Sequence, residues 1–397
     1  MTAPLALAEA QGRLLALAPH VPVELRASAD AAGYFLAAPI SARRTQPAAA
    51  LSAMDGFAMR AADLPGPWRV IGESAAGHPF TGTVSAGDAV AISTGAVLPP
   101  GADMVLLRED SRADATTLTL TGTPPDPLAR HIRPRGMDFA DHDLLLPAGA
   151  RIDAAAIGLA LAAGHDHVPV RRAVRLAVID SGDELAAPGT AIAAHQIPAS
   201  NGPMLAALAA GLPAHVRRIG PVADRIDALI AAFDTAADAD VIVTSGGASV
   251  GDHDLIRPAL AAMGVTLDFW RVAIKPGKPL LVARRGAQVI LGLPGNPASA
   301  WVTGFLFLLP LLRAALGAAA PLPRAISVPL ATPMAKGGGR MEFLRAHWDG
   351  AHVALDRLQD SGALSPLARS NALVVRPAGA PPAPAGTAVP VYLTNFA

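Results

Sequence analysis

The segment ADVIVTSGG, residues 239–247, is an apolar run of strand length that passes directly into glycines. RLAVID (175–180) has the same character and runs into SGDEL, and AQVILGLPG (287–295) ends in a similar turn. Helical segments such as NGPMLAALAAGL (201–212) separate these runs. Alternating strands and helices predict a mainly parallel α/β sheet with helices on both faces. Such a sheet binds ligands in the loops beyond the carboxyl ends of its strands.

The sequence changes character outward from this region. Residues 1–41 are predicted to be helical, residues 42–134 carry short β-like runs between Pro and Gly, and residues 151–165 are helical again. A last β-rich module begins at about residue 317. Because 397 residues exceed one compact core, we expect about two to four domains. The predicted fold class is a multidomain α/β plus β protein.

Composition excludes several classes of function. Lys+Arg and Asp+Glu both number 32, and this balance argues against nucleic acid as the main partner. The absence of cysteine removes disulfides, thiolate nucleophiles and cysteine metal sites. The start of the chain lacks the basic region of a signal peptide, and the apolar stretch 298–312 falls short of the ~20 residues that span a bilayer. We therefore expect a buried helix there, no membrane partner, and a cytoplasmic protein.

The loop TSGGASVGDHD (244–254) is the first candidate for chemistry. Its backbone can approach a ligand closely and cradle an anion, and its hydroxyls can bind one. The residues that provide this are Thr244, Ser245, Gly246, Gly247, Ser249 and Gly251. Asp252 and Asp254 would repel a phosphate unless Mg²⁺ lay between them. The alternative is a glycine-rich turn followed by a helix that aspartate caps.

Two further turns suggest anion binding. KPGKP (275–279) places Lys275 and Lys278 around a Pro-Gly turn, and the chain has only one other lysine, Lys336. A shared anion would explain two neighbouring cations, although two solvated surface lysines are the plain alternative. In LPGNPASA (293–300), Asn296 is predicted to cap a helix that starts at Pro297. The N–H groups of that helix start can bind an anion, or the segment can be a helix cap and nothing more.

Acidic segments elsewhere are weaker candidates. Asp183 and Glu184 end the first strand of the α/β part and can bind a metal or a ligand hydroxyl, or form a solvated turn. Asp55 lies in SAMDGFAMR (52–60), where an ordinary Asp-Gly turn is favoured. Asp138 lies among arginines in a segment predicted to be a salt-bridged turn. His165 and His167 flank Asp166, and we interpret them as surface histidines.

Taken together, these segments resemble the molybdopterin molybdenumtransferase family, whose relatives include the carboxy-terminal part of gephyrin. The resemblance rests on an ordered set of motifs that spans nearly the whole chain: SAMDGFA, STGAVLPPGAD, RGMDF, SGDEL, TSGGASVGDHD, IKPGKP, LPGNPASA and GGGRMEFLRA. Phe57, Ser181 and His253 depart from residues common in the family, but no carboxylate or lysine is lost.

The resemblance implies four subdomains and an elongated homodimer. These are a helical domain I (1–41 and 135–170), a β-rich domain II (42–134), an α/β molybdopterin-binding domain III (171–316) and a β-rich domain IV (317–397). The active site would lie between domain III of one subunit and domain II of the other. The implied reaction inserts molybdate into adenylyl-molybdopterin, releases AMP and requires Mg²⁺. Other molybdenum-cofactor enzymes are implied as further partners.

The resemblance also implies site residues. The catalytic positions would be Asp55, Thr94, Asp138, Glu184, Asp224 and Asp254. Substrate would be bound by the residues of the 244–252 loop named above, together with Lys275, Lys278, Pro294, Gly295, Asn296, Pro297, Ser361 and Ser365. Mg²⁺ would be bound by Glu184, Asp252 and Asp254. Two alternatives stay open: a molybdopterin adenylyltransferase, which shares the glycine-rich loop type, and a gephyrin-like scaffold without catalysis.

Overall fold

A computed structural model describes residues 4–114, 116–246 and 255–394, apart from the side chain of Trp270. Among these residues, three six-stranded sheets account for most of the β structure. One sheet lies in the N-terminal part of the chain, one in the middle, and one is formed mainly by the C-terminal part. The observed fold is thus the predicted combination of an α/β core with β-rich modules.

The N-terminal part contains one of the three six-stranded sheets and several short two-stranded pairs. Its elements are α1 (Leu7–Ala16), β1 (Val23–Ala27), a 3₁₀ turn (Ser28–Asp30), β2 (Ile40–Ser41), β3 (Leu51–Ser52), β4 (Gly56–Met59), a 3₁₀ turn (Ala61–Asp63), β5 (Trp68–Ser74), β6 (Asp88–Ile92), β7 (Met104–Leu107), a 3₁₀ turn (Arg108–Asp110), β8 (Ser111–Asp114), β9 (Thr117–Leu120), β10 (Ile132–Arg133), β11 (Leu144–Leu146), α2 (Ala154–Ala162) and β12 (His167–Arg171). The six-stranded sheet has the order β7-β4-β6-β5-β9-β8.

Residues 1–41 are less helical than predicted. Of residues 4–41, which the structure describes, only Leu7–Ala16 forms an α-helix, and the chain then continues into strand β1, which pairs with β12. Prediction was accurate for α2, because its end signals are local. The Asp153 carboxylate accepts a hydrogen bond from Ala156 N at 2.8 Å, and Gly164 has a positive φ just beyond the helix.

The middle of the chain alternates strands and helices as expected. Its elements are β13 (Val174–Ser181), β14 (Leu185–Ala186), β15 (Ile197–Pro198), α3 (Asn201–Ala209), β16 (Ala214–Val222), α4 (Ile226–Thr235), β17 (Val241–Ser245), α5 (Ile256–Ala262), β18 (Thr266–Trp270), β19 (Ile274–Lys275), β20 (Leu281–Arg285), β21 (Gln288–Leu293), α6 (Pro297–Thr303), a π-helical turn (Gly304–Leu308) and α7 (Leu309–Ala315). The sheet order is β16-β13-β17-β21-β20-β18. The first four strands pair in parallel, and β20 alone runs the opposite way, pairing antiparallel with both β21 and β18.

Both faces of this sheet are buried, which explains why its strands are continuous apolar runs. Val243 faces a core that contains Leu205 of α3 and Leu306 of the π-helical turn. Its neighbour Ile242 points the opposite way, into a second core that contains Phe233 of α4. Alternate residues of each strand therefore serve two separate helix layers.

The apolar segment near residue 300 is a core helix, as predicted. Residues Pro297–Ala315 are long and apolar enough to cross a membrane by length and composition, but 83% of that window is buried inside the fold. The helix widens into a π-turn at Gly304–Leu308, where the buried Gln11 of α1 donates its Nε2 hydrogen bond to Leu306 O at 2.9 Å. That bond ties the N-terminal helix to the α/β core.

The C-terminal part forms the third sheet. Its elements are β22 (Ile326–Pro329), β23 (Met341–Trp348), β24 (Val353–Leu355), α8 (Ser365–Arg369), β25 (Ala372–Arg376) and β26 (Ala388–Leu393). Five of its strands have the order β19-β23-β25-β26-β22, and the sixth, β24, pairs with β23. Strand β19, which carries Lys275, therefore belongs to the C-terminal sheet, although its sequence lies inside the α/β segment. The lysine turn thus joins two modules.

We predict that Gln11→Met lowers the stability of the protein by about 1–2 kcal/mol, because the buried Leu306 carbonyl loses its side-chain donor. Arg13→Met on the same helix is the control. Its partner is Glu9, and both side chains are about half exposed, so the loss should stay below about 0.5 kcal/mol. Unfolding midpoints in urea compare the two variants. Equal effects from both would contradict the structural role of Gln11.

Candidate functional site

Three neighbouring strand ends meet at one edge of the central sheet. Asp180 of β13 pairs with Ser245 of β17, and Ser245 pairs with Leu293 of β21. The loops that follow these strands therefore leave the sheet side by side. They enclose a small cavity of about 40 Å³, which we call the strand-end cavity. It is lined by Asp180, Ser181, Glu184, Leu185, Ile197, Pro198, Ala199, Ser200, Asn201, Ser245, Gly246, Gly295 and Pro297.

Glycine at position 246 allows this close approach. Its φ is +100°, and a Cβ added there would lie 2.6 Å from the carbonyl oxygen of Ser181. A Cβ on Gly295 would lie 3.5 Å from Gly246 Cα, so the two glycine turns are in van der Waals contact. The predicted meeting of the glycine-rich loop with the LPGNP turn is thus observed at these two residues.

Unsatisfied oxygens cluster at this cavity. Three residues that line it carry a buried oxygen with no hydrogen-bond partner among the described residues: Asp180 Oδ1, Ser181 Oγ and Asn201 Oδ1. Thr244 Oγ1 is a fourth such oxygen, on a residue of β17 that does not line the cavity. Buried polar atoms are normally paired, and an orphaned group marks a binding or catalytic role or a partner outside the protein. Thr244 and Ser245 were predicted here, and both are buried at the end of β17.

Sequence reasoning missed Asp180. Its side chain is 7% exposed, and its Oδ2 accepts a hydrogen bond from Gly202 N at 3.1 Å, at the start of α3. Burial raises the pKa of Asp180 to about 6, against the opposing effects of the Gly202 N–H and of Arg218. The available signal was an aspartate that ends an otherwise apolar strand, a position where a carboxylate is costly unless it has a function.

Three acids stand at the same edge. Asp183 Oδ1 accepts a hydrogen bond from Asp224 N at 3.0 Å, and Asp224 Oδ2 accepts one from Asp183 N at 3.4 Å. This reciprocal pair joins the loops after β13 and β16. Glu184 is exposed and lines the strand-end cavity. The predicted positions Glu184 and Asp224 therefore lie along one edge of the sheet.

A second, larger cavity adjoins the LPGNP turn. This lysine cavity has a volume of about 490 Å³. Its lining residues are Lys275, Pro276, Gly277, Lys278, Pro279, Asn296, Ser299, Arg340, Phe343, Leu344, Gln359, Asp360 and Ser361. Lys275 Nζ lies 3.0 Å from Glu342 Oε1, and the lysine is 57% exposed while the glutamate is nearly buried. Both predicted lysines face the same space, together with Arg340, which sequence reasoning did not single out.

Asn296 connects the two modules instead of capping a helix. The helix does begin at Pro297, but the Asn296 side chain makes no capping bond and donates from Nδ2 to Ser361 Oγ at 3.0 Å. Ala298 N donates to Ser361 O at 3.0 Å, so Ser361 of the C-terminal module is fixed to this turn. Gly295 lines one cavity and Asn296 the other, which makes the turn a shared wall.

Of three further residues in these segments, Asn201 lines the strand-end cavity, whereas Pro294 and Ser365 line neither cavity. Asn201 does not cap α3. Its Nδ2 donates to Gly295 O at 2.7 Å, and Ser200 occupies the cap position. Pro294 is buried before the turn. Ser365 begins α8 and is absent from the lining of the lysine cavity among the described residues.

A separate carboxylate–hydroxyl pair lies beside the N-terminal sheet, in the turns before β4 and after β6. Asp55 Oδ1 accepts hydrogen bonds from Thr94 N at 2.6 Å and from Thr94 Oγ1 at 2.9 Å. The backbone bond, then the hydroxyl bond, lowers the pKa of Asp55. Asp138 is exposed, and its backbone N donates to Gln46 O at 3.1 Å. Within residues 4–114, 116–246 and 255–394, no hydrogen bond or ion pair joins these three residues to the strand-end cavity.

Several predicted residues lie outside the described parts of the chain: Gly247, Ser249, Gly251, Asp252 and Asp254. Of the predicted Mg²⁺ ligands, only Glu184 is described. The described residues bring together no group of three or more His, Cys, Asp or Glu that could hold a metal ion. The prediction of two surface histidines was wrong for His165, which is 6% exposed and contacts Ser41 O through Nε2 at 2.7 Å.

We predict that Asp180→Asn stabilises the protein at pH 7.5 more than at pH 4.5. The folded pKa of about 6 lies above the ordinary 3.8, so wild type loses stability as pH rises through this interval. The amide cannot ionise and keeps the acceptor for Gly202 N. The difference between the two pH values should be about 1–3 kcal/mol. Denaturant titrations in the presence of EDTA measure the free energy of unfolding of both proteins at each pH. If the difference between the two proteins does not change with pH, burial does not destabilise the ionised Asp180 carboxylate and the prediction is refuted.

Known families match three successive parts of this chain. Residues 5–164 match the MoeA N-terminal region (domain I and II), residues 177–314 the probable molybdopterin binding domain, and residues 327–394 the MoeA C-terminal region (domain IV).

Individual relatives extend the match to most of the chain. A molybdopterin molybdenumtransferase of Nostoc sp. is 34% identical over 87% of this chain and 83% of its own length. One from Staphylococcus aureus is 31% identical over 99% and 96%. A solved structure of a molybdopterin biosynthesis MoeA protein from Pyrococcus horikosii covers 100% of both chains, with a TM-score of 0.82 and 27% identity. The chain therefore belongs to the molybdopterin molybdenumtransferase family.

Proposed function

We propose that this protein inserts molybdate into adenylyl-molybdopterin and releases AMP. The observation that carries the proposal is a pair of adjoining cavities that share the Gly295–Asn296 turn as a wall. Unsatisfied oxygens and Glu184 line the strand-end cavity, and Lys275, Lys278 and Arg340 line the lysine cavity. Relatives that carry the name molybdopterin molybdenumtransferase support the same reaction.

The lysine cavity suits the anionic parts of these substrates. Molybdate and the pyrophosphate link are both oxyanions, and they are held best by cations and N–H donors in a preorganised site. Lys275, Lys278 and Arg340 supply three positive charges on one wall. In the reaction, an oxygen of molybdate or of water replaces the bridging oxygen on the AMP phosphorus. The two dithiolene sulfurs of the substrate bond to molybdenum, and one molybdate oxygen leaves, either in AMP or as water with the two thiol protons. The cations stabilise the negative charge that develops on the leaving phosphate.

We propose that Glu184, together with Asp252 and Asp254, holds Mg²⁺ at the strand-end cavity. The donor set fits this ion, because the unsatisfied side-chain atoms facing the cavity are oxygens, and Mg²⁺ prefers oxygen ligands, water and substrate phosphates. When bound, Mg²⁺ would neutralise charge on phosphate oxygens. Orientation of the substrate rests on the chain's own residues, above all the Gly246 and Gly295 turns.

We further propose that the active site is completed by a second copy of the chain. Asp55 and Thr94 form a preorganised carboxylate–hydroxyl pair beside the N-terminal sheet, and no described contact joins it to the strand-end cavity. In a homodimer, that sheet and Asp138 of one subunit would face the cavities of the other.

The absence of cysteine fits a reducing compartment, which supports a cytoplasmic location.

The two alternative functions fit less well. An adenylyltransferase built on one α/β domain has no use for a cavity whose wall includes Arg340, Asp360 and Ser361 of the C-terminal module. A pure scaffold has no use for a buried carboxylate such as Asp180 beside unsatisfied hydroxyls. Maintaining such groups costs folding free energy, which catalysis or ligand binding would offset.

We predict that Lys278→Ala weakens binding of adenylyl-molybdopterin about tenfold, because a charge-assisted bond to an oxyanion is lost. Lys275→Ala should do the same and also lower the melting temperature, since the nearly buried Glu342 loses its partner. Lys336→Ala is the control, because Lys336 is the third lysine, is exposed and does not line the cavity. The Michaelis constant for AMP release reports the effect. Similar constants for all three variants would count against the anion site.

Mixing two inactive variants tests the shared site. Asp55→Ala and Lys275→Ala/Lys278→Ala should each fold as dimers. With substrate far below its Michaelis constant, each should release AMP at about a hundredth of the wild-type rate or less, because two tenfold losses of binding combine in the double variant. If Asp55 and Lys275 of different subunits form one site, each mixed dimer keeps one intact site, so random mixing restores about a quarter of wild-type activity. If both residues act within one subunit, mixing restores none. Asp114→Ala, an exposed change in the sheet beside Asp55, should stay fully active.

A further inference from the structure

A third cavity lies away from both of these sites. It has a volume of about 510 Å³ and opens between the N-terminal part of the chain, helix α3 and the segment after α7. Its wall combines apolar side chains, including Phe35, Leu208 and Leu309, with three arginines, Arg151, Arg313 and Arg324. We call it the arginine cavity.

The chain brings the three arginines together from distant positions. Arg313 lies one turn after Leu309 on α7, so both side chains share a face of that helix. Arg151 forms a β-bridge with Phe35. The segment that carries Arg324 is held close because Ala319 N donates to Gly149 O at 3.1 Å, and Gly149 has no room for a Cβ, which would lie 2.6 Å from Ala319 N.

In the described part of the chain, no carboxylate pairs with these arginines. The lining contains no Asp or Glu, and none of the three arginines forms an ion pair with another described residue. Among the described residues, the one side-chain hydrogen bond of the three arginines is long, from Arg313 Nη1 to Pro321 O at 3.5 Å. Burial, then the charge of Arg151, lowers the pKa of Arg313. The negative end of the α7 helix dipole stabilises the charge of Arg313, which lies in the last turn. It does not account for the two other arginines.

We propose that the arginine cavity binds a small organic anion that carries a phosphate or carboxylate group on an apolar body. Guanidinium groups bind both kinds of anion through paired hydrogen bonds, and an anion would relieve the repulsion among the three cations. The volume lies within the range of small-molecule sites, which combine apolar walls with a few polar anchors. Phe35, 7% exposed, and Leu309, 2% exposed, provide the apolar wall.

This site is independent of the proposed transferase reaction. None of its lining residues lines the strand-end or lysine cavity. A small molecule is a better occupant than a second copy of the chain, because the space is a cavity of defined volume bounded by four separate segments. Binding there can therefore be measured without the transferase assay.

Calorimetric titration with phenyl phosphate and with phenylacetate tests the proposal and distinguishes the two anionic groups. Lys275→Ala/Lys278→Ala protein serves as the background, so that the lysine cavity does not contribute. We expect one site per chain for at least one of the two probes. Inorganic phosphate should bind more weakly, because it lacks the apolar body, and benzyl alcohol should not bind, because it lacks the charge.

Substitutions in that background locate the site. Arg324→Gln and Arg151→Gln, at two exposed positions, should each weaken binding about tenfold. Arg313→Lys should weaken it less, because the charge is kept. Arg112→Gln, an exposed arginine on β8, is the control and should leave the affinity unchanged. Failure of both probes to bind, or equal loss with Arg112→Gln, would overturn the proposal.

Discussion

The carbonyl oxygen of Ser181 occupies the space that a side chain at position 246 would need. This close contact between two neighbouring loops is the constraint on which the site depends. It requires glycine at position 246 and holds the end of β17 against the end of β13. Gly246 also lies in contact with Gly295 of the next loop. Since the three strands are parallel neighbours, their loops share one edge, and a cavity forms where the backbone is nearest.

Charge is divided across the Gly295–Asn296 turn. Carboxylates and an unsatisfied hydroxyl lie on one side, and Lys275, Lys278 and Arg340 lie on the other, where Asp360 is the one lining carboxylate among the described residues. Glu342 already neutralises part of the charge of Lys275, so a bound anion must compete with a carboxylate for that lysine. Such a division suits a substrate whose oxyanions need cations at one end and whose metal chemistry needs oxygen donors at the other.

A neutral chain can still concentrate charge. Acidic and basic residues balance at 32 each, yet the fold gathers three arginines around one cavity and two of the three lysines around another. Both concentrations arise at junctions between modules. The lysine turn pairs with the C-terminal sheet through β19, and the arginine cavity is closed by contact of Gly149 with Ala319. Ligand sites at such junctions respond to how the modules are held together.

Local signals in the sequence were sufficient for elements whose stability is local. The α2 helix was predicted with both ends, because the Asp153 cap and Gly164 act over four residues or fewer. Apolar runs gave the parallel strands, since a strand buried on both faces needs continuous apolar residues. The glycine and lysine turns were also found, because close backbone approach and clustered cations restrict which residues are possible. Residues 17–41 were predicted wrongly as helix, because β1 depends on pairing with β12, more than a hundred residues away.

The tertiary structure decided which of these signals meet and what they do there. The sequence offered Asn296 as a helix cap, but its side chain instead bonds to Ser361. The Asn201 side chain likewise bonds to a residue distant in sequence, Gly295. The aspartate at the end of an apolar strand was the one signal for Asp180, and it did not show that the carboxylate is buried, because helix α3 covers it only in the folded chain. Motifs and composition thus determined the family and the kinds of chemistry. Pairing, burial and the unsatisfied groups arise only from the folded chain, because each is a relation between segments that the sequence leaves far apart.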